Sequence, residues 1–181
     1  MPLTILIPER ELYDSVNNRF IDLPAKKLVL EHSLISISRW ESKWHKPFFS
    51  NKKKTKQESN DYICCMVIGQ EPDPLILEGL TNKNVKDIQD YMSNPMTATT
   101  INNQNRRPSR EVVTSELIYC WMTQLNIPFD PCEKWHINRL MRLIEVCAIK
   151  SEPPKKMSKG AIMRQNHSLN QARRAAYGTR G

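Results

Sequence analysis

Hydrophobic and polar positions divide the chain into a short strand-like region and a longer helix-like region. Leu3 to Ile7 mixes β-branched and apolar residues between two prolines, and similar runs follow at Arg19 to Leu23 and Lys27 to Glu31. Short runs of this kind are typical of strands joined by turns. They predict a small β meander over about residues 1–31.

The helical pattern begins after Ser33, a residue type that favours the first position of a helix. Ile37, Trp40 and Trp44 follow at spacings of three and four, which places them on one helical face. Pro47 then ends the predicted helix.

Two further segments carry signals for the start of a helix. Thr55 and Glu58 match a capping box, in which each side chain binds the other residue's backbone N–H, and a helix from Lys56 to about Gly69 is expected. Either Thr81 or Asn82 can cap an amphipathic helix that follows.

Residues on either side of a polar loop suggest a β-hairpin. Met96–Ile101 and Arg110–Val113 are rich in threonine and valine, and the segment between them is polar. This composition favours a hairpin with a mobile tip, although a disordered loop would have the same composition.

The longest helical pattern lies between Thr114 and Cys147. Apolar residues recur at helical spacing from Thr114 to Leu125, and again from Trp135 to Cys147. The short, proline-containing break between these runs predicts two antiparallel helices, which we expect to form the core. The predicted fold class is therefore α+β and mainly α-helical, with the β meander and the β-hairpin packed against a helical core.

The charge distribution separates the C-terminal end from the rest of the chain. Of the net charge of +8, the last 32 residues carry +7, because they contain eight Lys or Arg and a single acid, Glu152. We expect one globular domain at 1–150, with its helical body at about 33–150, and a basic helix or tail at 151–181. Ser158 can cap a helix through Ala176, which is either loosely docked or folds on binding. The candidate electrostatic contacts are Lys155, Lys156, Lys159, Arg164, Arg173 and Arg174.

The sequence contains no recognisable catalytic or cofactor motif. The chain has five glycines in all, which do not form the glycine cluster that a phosphate-binding loop needs, and the cysteines and histidines have no zinc-type spacing. Cys132 and His136 are four residues apart and could share a helical face, as two metal ligands or a nucleophile and its base would. The favoured interpretation is that they are a thiol and an imidazole near the start of a helix, without a catalytic or ligand role. We predict no catalytic residue, no metal ligand, no cofactor and no enzymatic activity.

No apolar run approaches the roughly 18 to 20 residues that span a bilayer, and the N-terminus lacks the basic start of a signal peptide. A protein that stays in the compartment of its synthesis, away from membranes, is therefore expected.

A cluster of aromatic residues is the first candidate for a protein-binding surface. Trp40 and Trp44 share a helical face, and Phe48 and Phe49 follow directly after Pro47. An exposed apolar patch of this kind can mark an interface. A tryptophan on a helical apolar face more often packs in the core than binds a ligand, and these four aromatic residues are the candidates for binding a protein partner.

The chain resembles a family of proteins from long-tailed bacteriophages, the tail assembly chaperones. The resemblance runs over nearly the whole chain, with its segments in matching order. These segments are Leu30–Phe49, Pro95–Thr100, Glu116–Phe129, Trp135–Leu140, Pro153–Ser158, Leu169–Arg174 and Gly178–Gly181.

The resemblance implies a function that composition and spacing do not show. Family members bind the tape measure protein during tail assembly and leave before the virion is complete, so the expected location is the cytoplasm of the infected host cell. The major tail protein and a longer, frameshifted form of the chain are further expected partners.

Two other functions remain open on the sequence. A structural virion protein, such as a connector, tail completion or minor tail protein, would also lack catalytic motifs. A protein that binds nucleic acid through its basic end is the third hypothesis, because charge alone does not distinguish phosphates from an acidic protein surface.

Overall fold

Four N-terminal strands pair in a nested arrangement. The computed structural model describes residues 1–14, 18–69, 74–101, 111–151 and 158–178. Strand β1 (Leu3–Ile7) pairs antiparallel with β4 (Lys26–Leu30), and β2 (Arg10–Asp14) pairs with β3 (Arg19–Leu23). The prediction of a meander was wrong in its pairing, because β2 was missed and forms a hairpin with β3 inside the outer β1–β4 pair.

The outer pair contributes one face to the core. Ile5 lies opposite Leu28, and both side chains are buried together with Ile7 and Leu30. Alternate residues of a strand point to the same face, so the regular burial of every second residue follows from the strand geometry.

The rest of the described chain is mainly helical, which confirms the predicted fold class. A 3₁₀ helix occupies Pro74–Gly79. The α-helices are α1 (Leu34–Trp44), α2 (Lys56–Met66), α3 (Asn82–Ser93), α4 (Ser115–Gln124), α5 (Phe129–Cys132), α6 (Ile137–Ser151) and α7 (Lys159–Tyr177).

The predicted helix starts are confirmed by side-chain caps. The Ser33 side chain accepts a hydrogen bond from the backbone N–H of Ser36, and Thr55 and Glu58 form the complete capping box. Thr81, rather than Asn82, caps α3. Thr114 and Ser158 likewise cap α4 and α7.

The hairpin predicted around residues 96–113 is not formed by the residues that can be described there. Residues 96–101 and 111–113 contain no strand, and residues 102–110 lie outside the described part of the chain. Met96 has a φ of 51°, which is incompatible with extended backbone, and its N–H donates to the Asn94 side chain at 2.9 Å. Local side-chain bonds of this kind compete with strand pairing.

The core is centred on α1 and not on a pair formed by α4 and α6. α1 packs against both α2 and α4, and Ile37 and Trp40 on its inner face are almost completely buried. α4 and α6 contribute Met122 and Leu140 to the same core.

The chain divides into two compact units, Met1–Ile149 and Lys150–Gly181. Most of the second unit's described residues form α7, and none of these helical residues is buried. Among the helices that the structure describes, none has the length and hydropathy needed to cross a bilayer.

Candidate functional site

The structure places the predicted aromatic patch mostly in the core. Trp40 is 1% exposed and Phe48 is 7% exposed, whereas Trp44 is half-buried and Phe49 is 39% exposed. The Trp40 indole donates a hydrogen bond to the Glu58 carbonyl at 2.8 Å. The prediction of a surface patch is therefore wrong for Trp40 and Phe48, since helical spacing identified an apolar face without showing that the face was covered.

The Phe48 backbone is held in the core by a buried carboxylate. Glu41 is 7% exposed and accepts the Phe48 N–H at 2.7 Å. Its second oxygen accepts the N–H of Ser115 at 2.7 Å and the hydroxyl of Ser115 at 2.6 Å. One side chain of α1 thus fixes both the loop after α1 and the first residue of α4.

Cys132 and His136 are both buried, and the imidazole of His136 is bound by backbone groups. His136 Nε2 donates to the Tyr91 carbonyl at 3.0 Å, and Nδ1 accepts the N–H of Asn138 at 3.2 Å. Both imidazole nitrogens therefore have backbone partners. Burial raises the pKa of the Cys132 thiol, which keeps it in the less reactive protonated form.

His136 belongs to a buried polar junction that sequence reasoning missed. Its ring lies edge-on to His32, with 5.1 Å between the ring centroids, and His32 Nδ1 is hydrogen-bonded to the Tyr62 hydroxyl. Burial and the neighbouring His136 lower the pKa of His32 to about 3, so His32 is neutral. Two histidines do not make a metal site, and the described residues contain no cluster of three or more metal-binding side chains.

The junction also fixes the start of α6. The N–H of Ile137 donates to the His32 carbonyl at 2.7 Å, and Ser33 and His136 form an isolated antiparallel bridge. No local sequence signal could identify these contacts, because they join residues that are distant in the chain.

An open groove of about 680 Å³ lies between α4 and α6, beside the end of α3. Trp121, Leu125, Met141 and Ala148 are half-buried there, so each presents apolar surface to the groove. Ile144 is 7% exposed and lies at the floor. Pro95 and Ser93 line the groove at the end of α3.

Polar groups line the rim of the groove. Arg142 donates to Glu145 at 2.7 Å, and the pair lies one turn apart on α6. The Asn138 amide donates to the carbonyls of Met92 at 3.0 Å and Asn94 at 2.7 Å. These two bonds anchor α6 to the end of α3, and so they set the width of the groove on that side.

The walls of the groove are fixed by the same contacts that order the core. Glu41 binds the first residue of α4, and the His32 carbonyl binds the first residue of α6. At its other end α4 stops at Gln124, Asn126 just beyond it has a φ of 54°, and the N–H of Ile127 returns to the Met122 carbonyl at 2.8 Å. A groove with anchored walls can bind a partner without first being ordered.

An apolar floor with a charged rim suits the apolar face of an amphipathic helix. Helix-in-groove recognition uses apolar anchors at positions i, i+3 or i+4, and i+7. A volume of about 680 Å³ is also in the usual range of ligand pockets, roughly 300–1,000 Å³.

The four described residues of the predicted electrostatic set lie on α7. Lys159, Arg164, Arg173 and Arg174 are all exposed. Lys155 and Lys156 lie outside the described residues.

Compared with known protein families, with curated proteins and with solved structures, the chain has no significant match.

Proposed function

We propose that this protein is a tail assembly chaperone of a long-tailed bacteriophage. In this proposal it binds the tape measure protein in the host cytoplasm, and the groove between α4 and α6 receives an apolar helical face of that partner. The open apolar groove is the observation that carries the proposal. The major tail protein and a frameshifted longer form remain further candidate partners.

The groove and the phage resemblance involve overlapping parts of the sequence. Trp121, Gln124 and Leu125 line the groove and lie within the segment Glu116–Phe129. Asn138 lies within Trp135–Leu140, and Pro95 begins another such segment. This overlap supports the assignment of the groove, rather than the Trp40 side of α1, as the binding surface.

The energetics are those of a reversible interaction. Full burial of a large apolar side chain contributes about 1.5–3 kcal/mol, and association costs an estimated 4–15 kcal/mol. A few helical anchors together with the rim contacts therefore favour moderate affinity, which suits a partner that must be released during assembly.

The proposal is tested by co-expression with the tape measure protein of the same phage, followed by a pull-down. Leu125→Glu and Met141→Glu place a carboxylate in the apolar groove, where an unpaired charge is strongly unfavourable. We expect each variant to weaken binding by about 30-fold or more, corresponding to roughly 2 kcal/mol. The tape measure protein should then lose the solubility that the unmodified chain provides.

Ile68→Glu is the matched control, because Ile68 is 53% exposed and does not line the groove. This variant should bind as the unmodified chain does, and circular dichroism should show that all three variants are folded. Normal binding by both folded groove variants would refute the groove as the site. Failure of the unmodified chain to bind, together with its abundance in purified virions by mass spectrometry, would support a structural virion protein instead.

A further inference from the structure

The second unit has a charge pattern that the groove does not explain. α7 contains Lys159, Arg164, Arg173 and Arg174 and no acidic residue, so it carries four positive charges over 19 residues. Every one of these cations is exposed, and none of the residues of this described helix is buried. The helix is capped by its own ends, with Ser158 accepting from the Ala161 N–H at 3.2 Å and Gly178 in the left-handed conformation.

Two cations and two amides of α7 share one face. Lys159, Asn166, Asn170 and Arg173 follow one another at spacings of seven, four and three, which is the repeat of a single helical stripe. Arg174 lies beside this stripe. Ile162, Leu169 and Ala176, at spacings of seven, form an apolar stripe that borders this one about 70° around the helix, and Arg164 lies on the opposite side.

We propose that α7 binds duplex DNA, with Lys159, Arg173 and Arg174 on the phosphates and the Lys159–Arg173 face directed toward the major groove. A helix of 19 residues is roughly 28 Å long, which corresponds to about eight base pairs. The major groove of B-form DNA, about 12 Å wide, admits an α-helix. Asn166 and Asn170 supply amides of the kind that pair with adenine edges, and the cations contact phosphates on either side.

Other polyanions fit the same helix less well. The major groove of A-form RNA is deep and narrow, so it does not admit side chains in this way. Single strands are usually bound through stacked aromatic rings, and Tyr177, 81% exposed, is the one aromatic residue of α7. An acidic protein would match the positive charge but would give no role to the two amides between the cations.

The test measures binding of the full chain to a fluorescent DNA duplex of about 20 base pairs by anisotropy, as a function of salt. Three phosphate contacts give a slope of about −2.7 for log K against log salt concentration. Between about 50 and 200 mM salt, these contacts alone weaken binding by about 40-fold. The variant in which Lys159, Arg164, Arg173 and Arg174 are all replaced by Gln should lose this part of the slope.

The matched control replaces the four exposed lysines Lys52, Lys53, Lys83 and Lys86 by Gln, which removes the same charge from the first unit. This control should retain the DNA affinity and the slope, and circular dichroism should show unchanged helix content in both variants. The proposal is overturned if the α7 variant binds DNA as the unmodified chain does, or if both variants lose affinity equally. It is also overturned if duplex RNA or a polyglutamate peptide binds more tightly than the DNA.

Discussion

Replacement of Glu41 should destabilise the first unit more than almost any other single polar substitution. The carboxylate is 7% exposed and accepts three hydrogen bonds, from the Phe48 N–H, the Ser115 N–H and the Ser115 hydroxyl. Hydrogen bonds to charged groups contribute about 1.5–3 kcal/mol each, and a buried donor without a partner costs about 1–3 kcal/mol.

The two replacements of Glu41 should differ in size. Glu41→Gln retains one acceptor oxygen but turns an amide N–H₂ toward a backbone donor, so we expect a loss of about 1.5–3 kcal/mol. Glu41→Ala leaves the N–H groups of both Phe48 and Ser115 without an acceptor, and we expect a loss of roughly 3–6 kcal/mol. The larger value approaches the total stability of a small domain, which is about 5–15 kcal/mol.

Urea unfolding followed by tryptophan fluorescence measures this effect, because all four tryptophans lie between residues 40 and 135 in the first unit. Glu9→Gln is the control, since Glu9 is exposed and the substitution should change stability by less than about 0.5 kcal/mol. If Glu41→Gln and Glu41→Ala both stay within that limit, the carboxylate does not hold the start of α4 in solution.

Three further predictions concern the same unit. Burial lowers the pKa of His32 to about 3 and also lowers the pKa of His136, whereas the unfolded values are about 6.5. The stability that the neutral histidines allow should therefore be fully present above about pH 6.5. Below that pH the free energy of unfolding should fall by up to about 1.4 kcal/mol per pH unit for each histidine. Urea unfolding at pH 7 and pH 5 should show a smaller decrease for His32→Gln than for the unmodified chain. Trp40→Phe removes the donor to the Glu58 carbonyl and should cost about 1–3 kcal/mol by urea unfolding monitored by circular dichroism. Trp44→Phe should cost less, because the Trp44 Nε1 has no hydrogen-bond partner among the described residues, and an equal cost would contradict this account. Thr55→Val removes the side-chain cap of α2 and should cost about 1 kcal/mol in the same assay, whereas the exposed Thr100→Val should have little effect.

Local chemistry made the helix starts predictable. Ser33, Thr55 and Ser158 cap backbone N–H groups within three residues of themselves, so the sequence around each one contains the whole signal. Strand β2, which was not predicted, has no such signal, because its sequence, Arg-Glu-Leu-Tyr-Asp, contains few apolar residues. The strand is formed by pairing with β3.

The candidate groove was harder to predict because its parts are separate in sequence. Pro95 follows the end of α3, Trp121 lies on α4 and Met141 lies on α6. The hydrophobic periodicity of each segment shows that it has an apolar side, but not which segments face each other. The same ambiguity explains the wrong prediction for Trp40 and Phe48. A large aromatic residue on an apolar face is equally consistent with the core and with an interface until its neighbours are known.

The bond between the Ile137 N–H and the His32 carbonyl has a consequence for the order in which the chain folds during synthesis. β4 and α1 leave the ribosome early, but their partner at the start of α6 is made about a hundred residues later. At about 5–20 residues per second, this interval is roughly 5–20 s. During that time Leu30 and Leu34, which are fully buried in the finished protein, lack part of their covering. The nascent N-terminal third is therefore exposed to aggregation during this interval, and it becomes covered only when the residues around Ile137 have been made.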